Sequence, residues 1–168
     1  MKKIIIFYHG DCPDGVGGAW AAWKKFGNKA DYIAIFHSDK LPKNLKNKEV
    51  YFLDICPKNT QLIKKICGLS KNLTIIDHHI SERDVVKTAP NYFFANDHSG
   101  SVLAWQYFHN KKTPKMLKHI EDVDLWRFKL PQTNEIIGAL ELLKFDFKLW
   151  DKFANDLEKP ASRKLIIG

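Results

Sequence analysis

An apolar segment near the middle of the chain ends abruptly on three side chains that could do chemistry. Residues 73–76 are followed at once by Asp77, His78 and His79. A short run rich in isoleucine indicates a strand buried on both faces of a sheet, and in open α/β sheets ligands bind just beyond the carboxyl ends of the strands. We therefore predict a functional site at these three residues.

Two other apolar runs end in a similar way. His9 follows residues 4–8, and Asp54 follows residues 50–53. If the three runs are parallel strands, their carboxyl ends meet at one edge of the sheet, whatever their separation in sequence. A surface turn would explain any one of these polar ends, but the repetition favours a shared site.

The polar residues in and around these segments suit hard divalent cations. Carboxylates with a few imidazoles favour Mn²⁺ or Mg²⁺ over a thiolate zinc site. Two such ions about 3.5–4 Å apart can clamp the attacking and leaving oxygens of a phosphoryl displacement, and a carboxylate is the natural bridge between them. The candidate residues are His9, Asp11, Asp14, Asp54, Asp77, His78, His79, Asp122 and Asp124.

The glycines after the first strand superficially suggest a dinucleotide-binding fingerprint. Gly15, Gly17 and Gly18 follow a predicted strand and open a predicted helix. Asp11 and Asp14 lie where a pyrophosphate would sit, and like charge there is repulsive. We reject this interpretation in favour of a cation site.

The order of predicted elements indicates an α/β class, with a Rossmann-like, mostly parallel β-sheet flanked by helices and a helical C-terminal part. We predict one domain over residues 1–168, with strands and helices alternating in 1–97 and helices alone in 98–168. Strands are predicted at 4–9, 31–37, 49–54, 73–76 and 91–95, and helices at 16–26, 57–69, 102–108, 114–123, 135–143 and 147–157.

Composition adds bounds on the partners and on the compartment. The formal charge is 27 − 19 = +8, which attracts nucleotides or nucleic acid, but 24 of the 27 basic residues are lysine, the poorer bidentate phosphate ligand. Cys12, Cys56 and Cys67 form no CxxC pair, which argues for a reducing compartment. The apolar start is too short for a signal peptide and no run has the length of a membrane span, so we expect a cytoplasmic protein without membrane contact.

Four segments together resemble the motifs of the DHH phosphoesterase superfamily, in the same order. They are residues 9–15 (HGDCPDG), Asp54, residues 77–79 (DHH) and residues 122–126 (DVDLW). That superfamily includes RecJ-type exonucleases, oligoribonucleases, cyclic-dinucleotide phosphodiesterases and family II pyrophosphatases. The resemblance implies a manganese-dependent phosphohydrolase with two ions, Mg²⁺ or Co²⁺ being alternatives, and a nucleotide or short nucleic acid as substrate.

The resemblance also implies a role for each matching residue. One metal would be bound by His9 and a first-loop aspartate, the other by Asp14, His78 and Asp122, with Asp54 as the bridge. His79 would contact the substrate phosphate and Asp77 would orient its neighbours, so His79, Asp77 and Asp54 form the predicted catalytic group. The small-residue turn after Asp97 would lie near the phosphate, and the predicted substrate-binding residues are His79, His98, Ser99, Gly100 and Asp124.

Two positions depart from the superfamily pattern. The first-loop aspartates, Asp11 and Asp14, are separated by two residues where many members have one, so Asp11 is either a ligand or a bystander. Asp122 and Asp124 compete for one role, and the apolar residues that follow favour Asp122. The glycine-rich second domain that grips substrate in many relatives has no counterpart in these residues.

Other interpretations compete with a nucleotide phosphodiesterase. One is an inorganic pyrophosphatase or polyphosphatase, another a non-catalytic, metal-stabilised nucleic-acid-binding domain, and a third a zinc module built on Cys12 and Cys56. We expect both cysteines to act as small hydrophobic residues. Ser99 is predicted with equal weight to bind substrate or to serve only as a helix cap. His37, His109 and His119 and the tryptophans are predicted to be structural, except that Trp126 could wall the site.

Overall fold

The computed structural model describes residues 2–36, 44–143 and 145–160. Its centre is a five-stranded sheet in which every pair of neighbouring strands is parallel. The order across the sheet is β2-β1-β3-β4-β5. The strands are β1 (Ile4–His9), β2 (Ala30–Ile35), β3 (Glu49–Leu53), β4 (Asn72–Asp77) and β5 (Asn91–Phe94). The predicted α/β class with a parallel, Rossmann-like sheet is confirmed.

Helices cover both faces of this sheet. The alternation of side chains along β1 sends Ile6 and Tyr8 into one apolar core and Ile5 and Phe7 into the other. The helices are α1 (Pro13–Phe26), α2 (Thr60–Leu69), α3 (Arg83–Val86), α4 (Gly100–Phe108), α5 (Lys115–Asp124), α6 (Thr133–Glu141) and α7 (Phe147–Glu158). The first core packs against α1, α4, α5, α6 and α7, and the second against α2 and α3.

Several element boundaries differ from those predicted. Helix α1 begins at Pro13, three residues early, because Cys12 caps it in place of a more usual residue. Pro57 does not open α2, which starts at Thr60 after the Asn59 side chain accepts a hydrogen bond from the Leu62 amide at 2.9 Å. The short helix α3 was not predicted. His37, at the predicted end of the second strand, lies outside the described residues.

The register of the three central strands brings their predicted site residues to one level. Tyr8 pairs with Leu53, and Leu53 pairs with Ile76. The next residue on each strand path is therefore His9, Asp54 or Asp77. The convergence expected from the apolar runs follows directly from this alignment.

Within the described ranges, no helix combines the length and the apolar character needed to cross a lipid bilayer.

Close contact between α1 and β1 depends on a glycine. A Cβ atom built on Gly15 would lie 2.1 Å from the carbonyl oxygen of His9, far inside van der Waals contact. A side chain at this position would push the helix away from the strand that carries His9. Gly15 therefore sets the position of the first loop relative to the sheet.

We expect Gly15→Ala to lower the free energy of unfolding by at least about 1–3 kcal/mol, the usual cost of overpacking. Gly138→Ala is the matched control, because Gly138 lies on the exposed side of α6 with open space around its Cβ position. That change should be neutral or stabilising by up to about 1 kcal/mol. Urea denaturation of both variants measures the difference, and equal stabilities would contradict the proposed contact.

Candidate metal centre

Three buried polar atoms converge at the carboxyl edge of the sheet. Nε2 of His78 lies 3.2 Å from Oδ1 of Asp54 and 3.5 Å from Oδ2 of Asp124. None of the three atoms makes a hydrogen bond to the described part of the chain. A fourth atom, Oδ2 of Asp14, lies 3.8 Å from the same imidazole nitrogen. Because buried polar atoms without partners are costly, this arrangement fits a bound cation.

Asp54 lies between two sets of possible metal ligands, with His9 and Cys12 on one side and His78 on the other. Its backbone has a φ of 57°. Its amide donates to the carbonyl of Ile76 at 2.9 Å, so the hydrogen bonding between β3 and β4 continues one residue past the end of β3. Oδ2 faces Cys12 Sγ at 3.4 Å and His9 Nδ1 at 3.6 Å, while Oδ1 faces His78. A carboxylate with one oxygen toward each set has the geometry of a bridging ligand.

Asp14 is held by the amino end of another helix. It lies in the first turn of α1, is 1% exposed, and accepts hydrogen bonds from the amides of Gly100 at 2.7 Å and Ser101 at 3.0 Å. The positive end of the α4 dipole favours a carboxylate there. Asp14 is thus fixed beside Asp124 and His78.

This arrangement corrects the role predicted for the turn before α4. The amide of Gly100 donates to Asp14, and the fully buried Ser99 caps α4 by accepting from the amide of Val102 at 3.4 Å. These contacts of Ser99 and Gly100 lie within the protein and give no support to a predicted contact with a substrate phosphate. Gly100 is also packed on Asp54, since an added Cβ would lie 2.7 Å from the Asp54 Cβ.

Burial and neighbouring charges shift the pKa values of the three carboxyl groups in the cluster. Burial raises the pKa of Asp14 well above its usual value, and the negative charges of Asp54 and Asp124 raise it further. The pKa of Asp124 is also raised, first by burial. Burial alone would raise the pKa of Asp54, but the His78 and His9 imidazoles outweigh it and leave that pKa below its usual value. A divalent cation would relieve the repulsion among the three carboxylates.

Asp77 organises the turn that carries both histidines. It is fully buried at the end of β4, and its Oδ1 accepts hydrogen bonds from the amides of His78 at 2.6 Å and His79 at 3.0 Å. The same oxygen lies 2.7 Å from Nδ1 of His79. This hydrogen bond is the main cause that raises the pKa of His79 to about 9. The contacts agree with an orienting role for Asp77.

The fourth segment corrects the choice between two aspartates. Asp122 accepts hydrogen bonds from the Lys129 amide at 2.8 Å, the Leu130 amide at 3.0 Å and the Thr133 hydroxyl at 2.7 Å. Residues two apart on a helix point about 200° apart, so Asp122 turns away from the cluster while Asp124 reaches His78. The structure does not bring Asp122, the predicted metal ligand, to the cluster, and Asp124 lies there with Asp14 and His78.

The first loop contributes a residue that the sequence argument set aside. Asp11 is exposed and belongs to none of the possible metal-binding groups found among the described residues. Cys12 instead lies with His9 and Asp54, its Sγ 3.3 Å from His9 Nδ1. The signal was present in the sequence, because Cys12 is two positions before Asp14, the spacing that many superfamily members have between their aspartates.

The other histidines in the described ranges, His98, His109 and His119, have structural partners. Nδ1 of His98 bonds to Glu121 at 2.9 Å, and Glu121 also accepts from Arg127 at 2.9 Å, which ties the turn before α4 to α5. His98 thus lies in a structural network, which gives no support to its predicted contact with substrate. His109 bonds to the carbonyl of Ala21 and His119 to Thr133, as their positions off the motifs predicted.

Residues 126–128, the aromatic loop, form one wall of a pocket of about 300 Å³ that adjoins Asp14 and Asp124. Trp126 is 83% exposed and meets Phe128 edge-on at 5.8 Å. Both residues have a left-handed backbone, with φ of 52° and 46°, a conformation that costs about 1–3 kcal/mol and needs support. Asp122 gives that support, because its carbonyl accepts from the amides of residues 127 and 128.

Asparagine at positions 122 and 124 should have opposite effects in the metal-free protein near pH 7. Asp124→Asn removes a repelled carboxylate, so we expect higher stability and loss of one bound divalent ion. Asp122→Asn disrupts three hydrogen bonds to a buried carboxylate, so we expect a loss of about 1–3 kcal/mol with metal binding retained. Calorimetric metal titration and urea denaturation of both variants test this pair, and retained stoichiometry in Asp124→Asn would contradict the assignment.

The hydrogen bond between His79 and Asp77 predicts that the stability of the metal-free protein depends on pH. The folded pKa of about 9 lies above the usual value of 6.5. Protonated His79 therefore stabilises the folded state fully below pH 6.5, and this stabilisation is lost as the pH rises through about 9. Asp77→Asn should lower the pKa of His79 toward 6.5, which NMR titration of the imidazole protons measures. An unchanged pKa in that variant would show that Asp77 is not the cause.

Comparisons with known proteins support the fold without naming an activity. No family model matches the chain. An uncharacterized protein of Acanthamoeba polyphaga mimivirus is 32% identical over an alignment of 170 residues. The alignment covers 90% of this chain and 40% of the viral protein. The chain therefore spans well under half the length of this relative. A crystal structure of an uncharacterized protein from Helicobacter pylori G27 is similar with a TM-score of 0.67 and 13% identity, covering 99% of this chain and 60% of that one.

Proposed function

We propose that the chain is a phosphoesterase domain of the DHH type that hydrolyses phosphodiester bonds in a short oligonucleotide or a cyclic dinucleotide. It would use two divalent cations, with Mn²⁺ as the first candidate. The observation that carries the proposal is the convergence of three buried polar atoms without hydrogen bonds, on His78, Asp54 and Asp124. A purely structural role leaves these atoms without an explanation.

The residues fit a pair of cation positions. Three groups of possible ligands occur among the described residues, and in each the ligand atoms lie within 4.8 Å of one another. We assign one ion to Asp14, His78 and Asp124 and the other to His9, Cys12 and Asp54. The third group, Asp54, His78 and His79, shares a residue with each of these two. Divalent cations at these sets would supply Lewis acidity toward a phosphoryl group and acidify water. The raised pKa of Asp14 and Asp124 in the metal-free chain is consistent with carboxylates placed for a cation.

His79 is placed to bind the phosphate of a substrate. Its side chain is 43% exposed, whereas His78 beside it is buried. In the metal-free chain its raised pKa keeps the imidazole protonated at neutral pH, and a charged imidazole is a strong hydrogen-bond donor to a phosphate oxygen. Asp77 acts through His79 as a positioning residue, because it fixes both the ring and the turn.

The aromatic loop favours a nucleotide over an inorganic substrate. The pocket walled by Trp126 and Phe128 shares Asp14 and Asp124 with the cation site, so a phosphate at the cations would leave its attached base beside these rings. Stacking on an aromatic side chain contributes about 1–3 kcal/mol per base. The formal charge of +8 also favours an anionic partner.

The cellular setting belongs to the same proposal. The free thiols of Cys12, Cys56 and Cys67 suit a reducing compartment, so we place the activity in the cytoplasm. Because the viral relative is much longer than this chain, we also propose that a further domain helps to grip the substrate.

The direct test supplies a dinucleotide, a cyclic dinucleotide and inorganic polyphosphate to the protein with Mn²⁺. We expect nucleotide products, and we expect Asp54→Ala and His78→Ala to abolish them. Phosphate release from polyphosphate alone would replace the proposal with an inorganic polyphosphatase. RNA binding without turnover that survives both substitutions would favour a binding domain.

Removing the aromatic wall should separate the two substrate classes. Trp126→Ala should raise KM for a dinucleotide about 5–160-fold, the equivalent of about 1–3 kcal/mol of stacking, and leave any polyphosphate hydrolysis unchanged. Tyr92→Ala is the matched control, because Tyr92 is an exposed aromatic on the edge strand β5. A similar rise in both variants would exclude a specific role for Trp126.

A further inference from the structure

We infer that one of the two cation positions has a sulfur ligand, Cys12, and therefore selects a thiophilic divalent ion such as Zn²⁺ or Co²⁺ over Mg²⁺. This inference rests on the proposed function, because it concerns the metal preference of the same site. It makes the two positions chemically unlike, since the other set holds only nitrogen and oxygen ligands from Asp14, His78 and Asp124.

The spacing of the three ligand atoms fits a tetrahedral ion. Cys12 Sγ lies 3.3 Å from His9 Nδ1 and 3.4 Å from Asp54 Oδ2, and the last two atoms are 3.6 Å apart. Bonds of about 2.3 Å to sulfur and about 2.0–2.2 Å to nitrogen and oxygen, at tetrahedral angles, require about 3.5–3.7 Å from sulfur to either of the other atoms and about 3.3–3.5 Å from nitrogen to oxygen. Each observed separation lies within about 0.3 Å of these values. The atoms therefore stand close to the corners of such a coordination sphere.

The carboxylate of this set is independently indicated as a ligand. Asp54 is 2% exposed. Its Oδ2 accepts from the Cys12 thiol, and its Oδ1, which faces His78, makes no hydrogen bond to the described residues. Asp54 also links Cys12 on one side to His78 on the other. A charged group held this way in the protein interior fits an ion on each side of it.

Helix capping alone does not account for a cysteine at this position. Cys12 is the N-cap of α1 and accepts from the amide of Gly15 at 3.4 Å. Serine, threonine, asparagine and aspartate are the favoured caps, and a thiol is a weak acceptor. Asp11 would be available as a carboxylate one residue earlier, yet it is exposed and outside the cluster.

A sulfur ligand changes which metals compete successfully. Thiolates prefer Zn²⁺ and other soft or borderline ions, whereas Mg²⁺ prefers hard oxygen ligands and gives up its water reluctantly. Binding displaces the thiol proton to solvent, so the sulfur enters the site as a thiolate. The set of His9, Cys12 and Asp54 should therefore fill with Zn²⁺ or Co²⁺ at concentrations where Mg²⁺ leaves it vacant.

The test titrates the metal-free protein with Co²⁺ and records absorption and stoichiometry together. We expect two bound ions and a near-ultraviolet sulfur-to-cobalt charge-transfer band that saturates with one of them. Zn²⁺ should bleach the band and a large excess of Mg²⁺ should not. Cys12→Ser should abolish the band, while the matched control Cys67→Ser, on α2, should retain it.

A second variant guards against loss of folding in Cys12→Ser. Cys12→Asp keeps a favoured cap and offers an oxygen ligand, so it should bind two Mn²⁺ but lower the preference for Zn²⁺ over Mn²⁺ by more than about tenfold, since even an outer-shell change costs about 10–100-fold in affinity. An unchanged preference would overturn the inference.

The outcomes separate this inference from the proposed function. Two bound Co²⁺ ions and cobalt-dependent phosphodiester hydrolysis without a charge-transfer band would overturn the sulfur ligand and leave the phosphoesterase standing. A band that persists in Cys12→Ser would also overturn it. Failure to bind any divalent ion would overturn both.

Discussion

The mutual repulsion of three carboxylates around one imidazole is the constraint on which the rest of this structure depends. Asp14, Asp54 and Asp124 all come within 4 Å of His78 Nε2, in a place from which water is largely excluded. Burial and like charge disfavour the ionised forms of Asp14 and Asp124, whose pKa values are raised, so placing these two carboxylates here costs free energy in the metal-free fold. The surrounding structure is best understood as the framework that keeps these side chains together despite that cost.

That framework combines backbone register with close packing. Parallel pairing puts His9, Asp54 and Asp77 on one level, and the amino end of α4 supplies two amide donors to Asp14. Gly15 and Gly100 permit approaches that a Cβ would block. The helices on one face of the sheet therefore fix the acidic side chains through backbone contacts, which tolerate little change in distance.

The sequence sufficed to predict the sheet edge, because the signal there is local. Each central strand is an apolar run that stops at a polar residue, and parallel pairing needs no further information to bring His9, Asp54 and Asp77 together. The choice between Asp122 and Asp124 could not be made this way, since it depends on how α5 is rotated against the core. The backbone donors at Gly100 and Ser101 were also invisible, because their partner, Asp14, is 87 residues from Ser101.

The position of Cys12 shows a different limit of prediction. Its type favoured a small buried hydrophobe, and only the folding of the first loop over Asp54 places its sulfur near His9. Asp77 was easier, because an aspartate directly before two histidines can reach their backbone amides without any long-range contact. The sequence predicted contacts that are set by neighbours in the chain and missed contacts that are set by packing between elements.

Helix α5 holds two aspartates with different duties only two residues apart. Asp122 supports the strained aromatic loop, and Asp124 faces the cluster. Inserting or deleting one residue before them would rotate both by about 100° and disrupt both duties at once. Evolutionary changes of length should therefore accumulate in the connections outside this helix, so that α5 varies in composition among homologous chains but keeps its residue count.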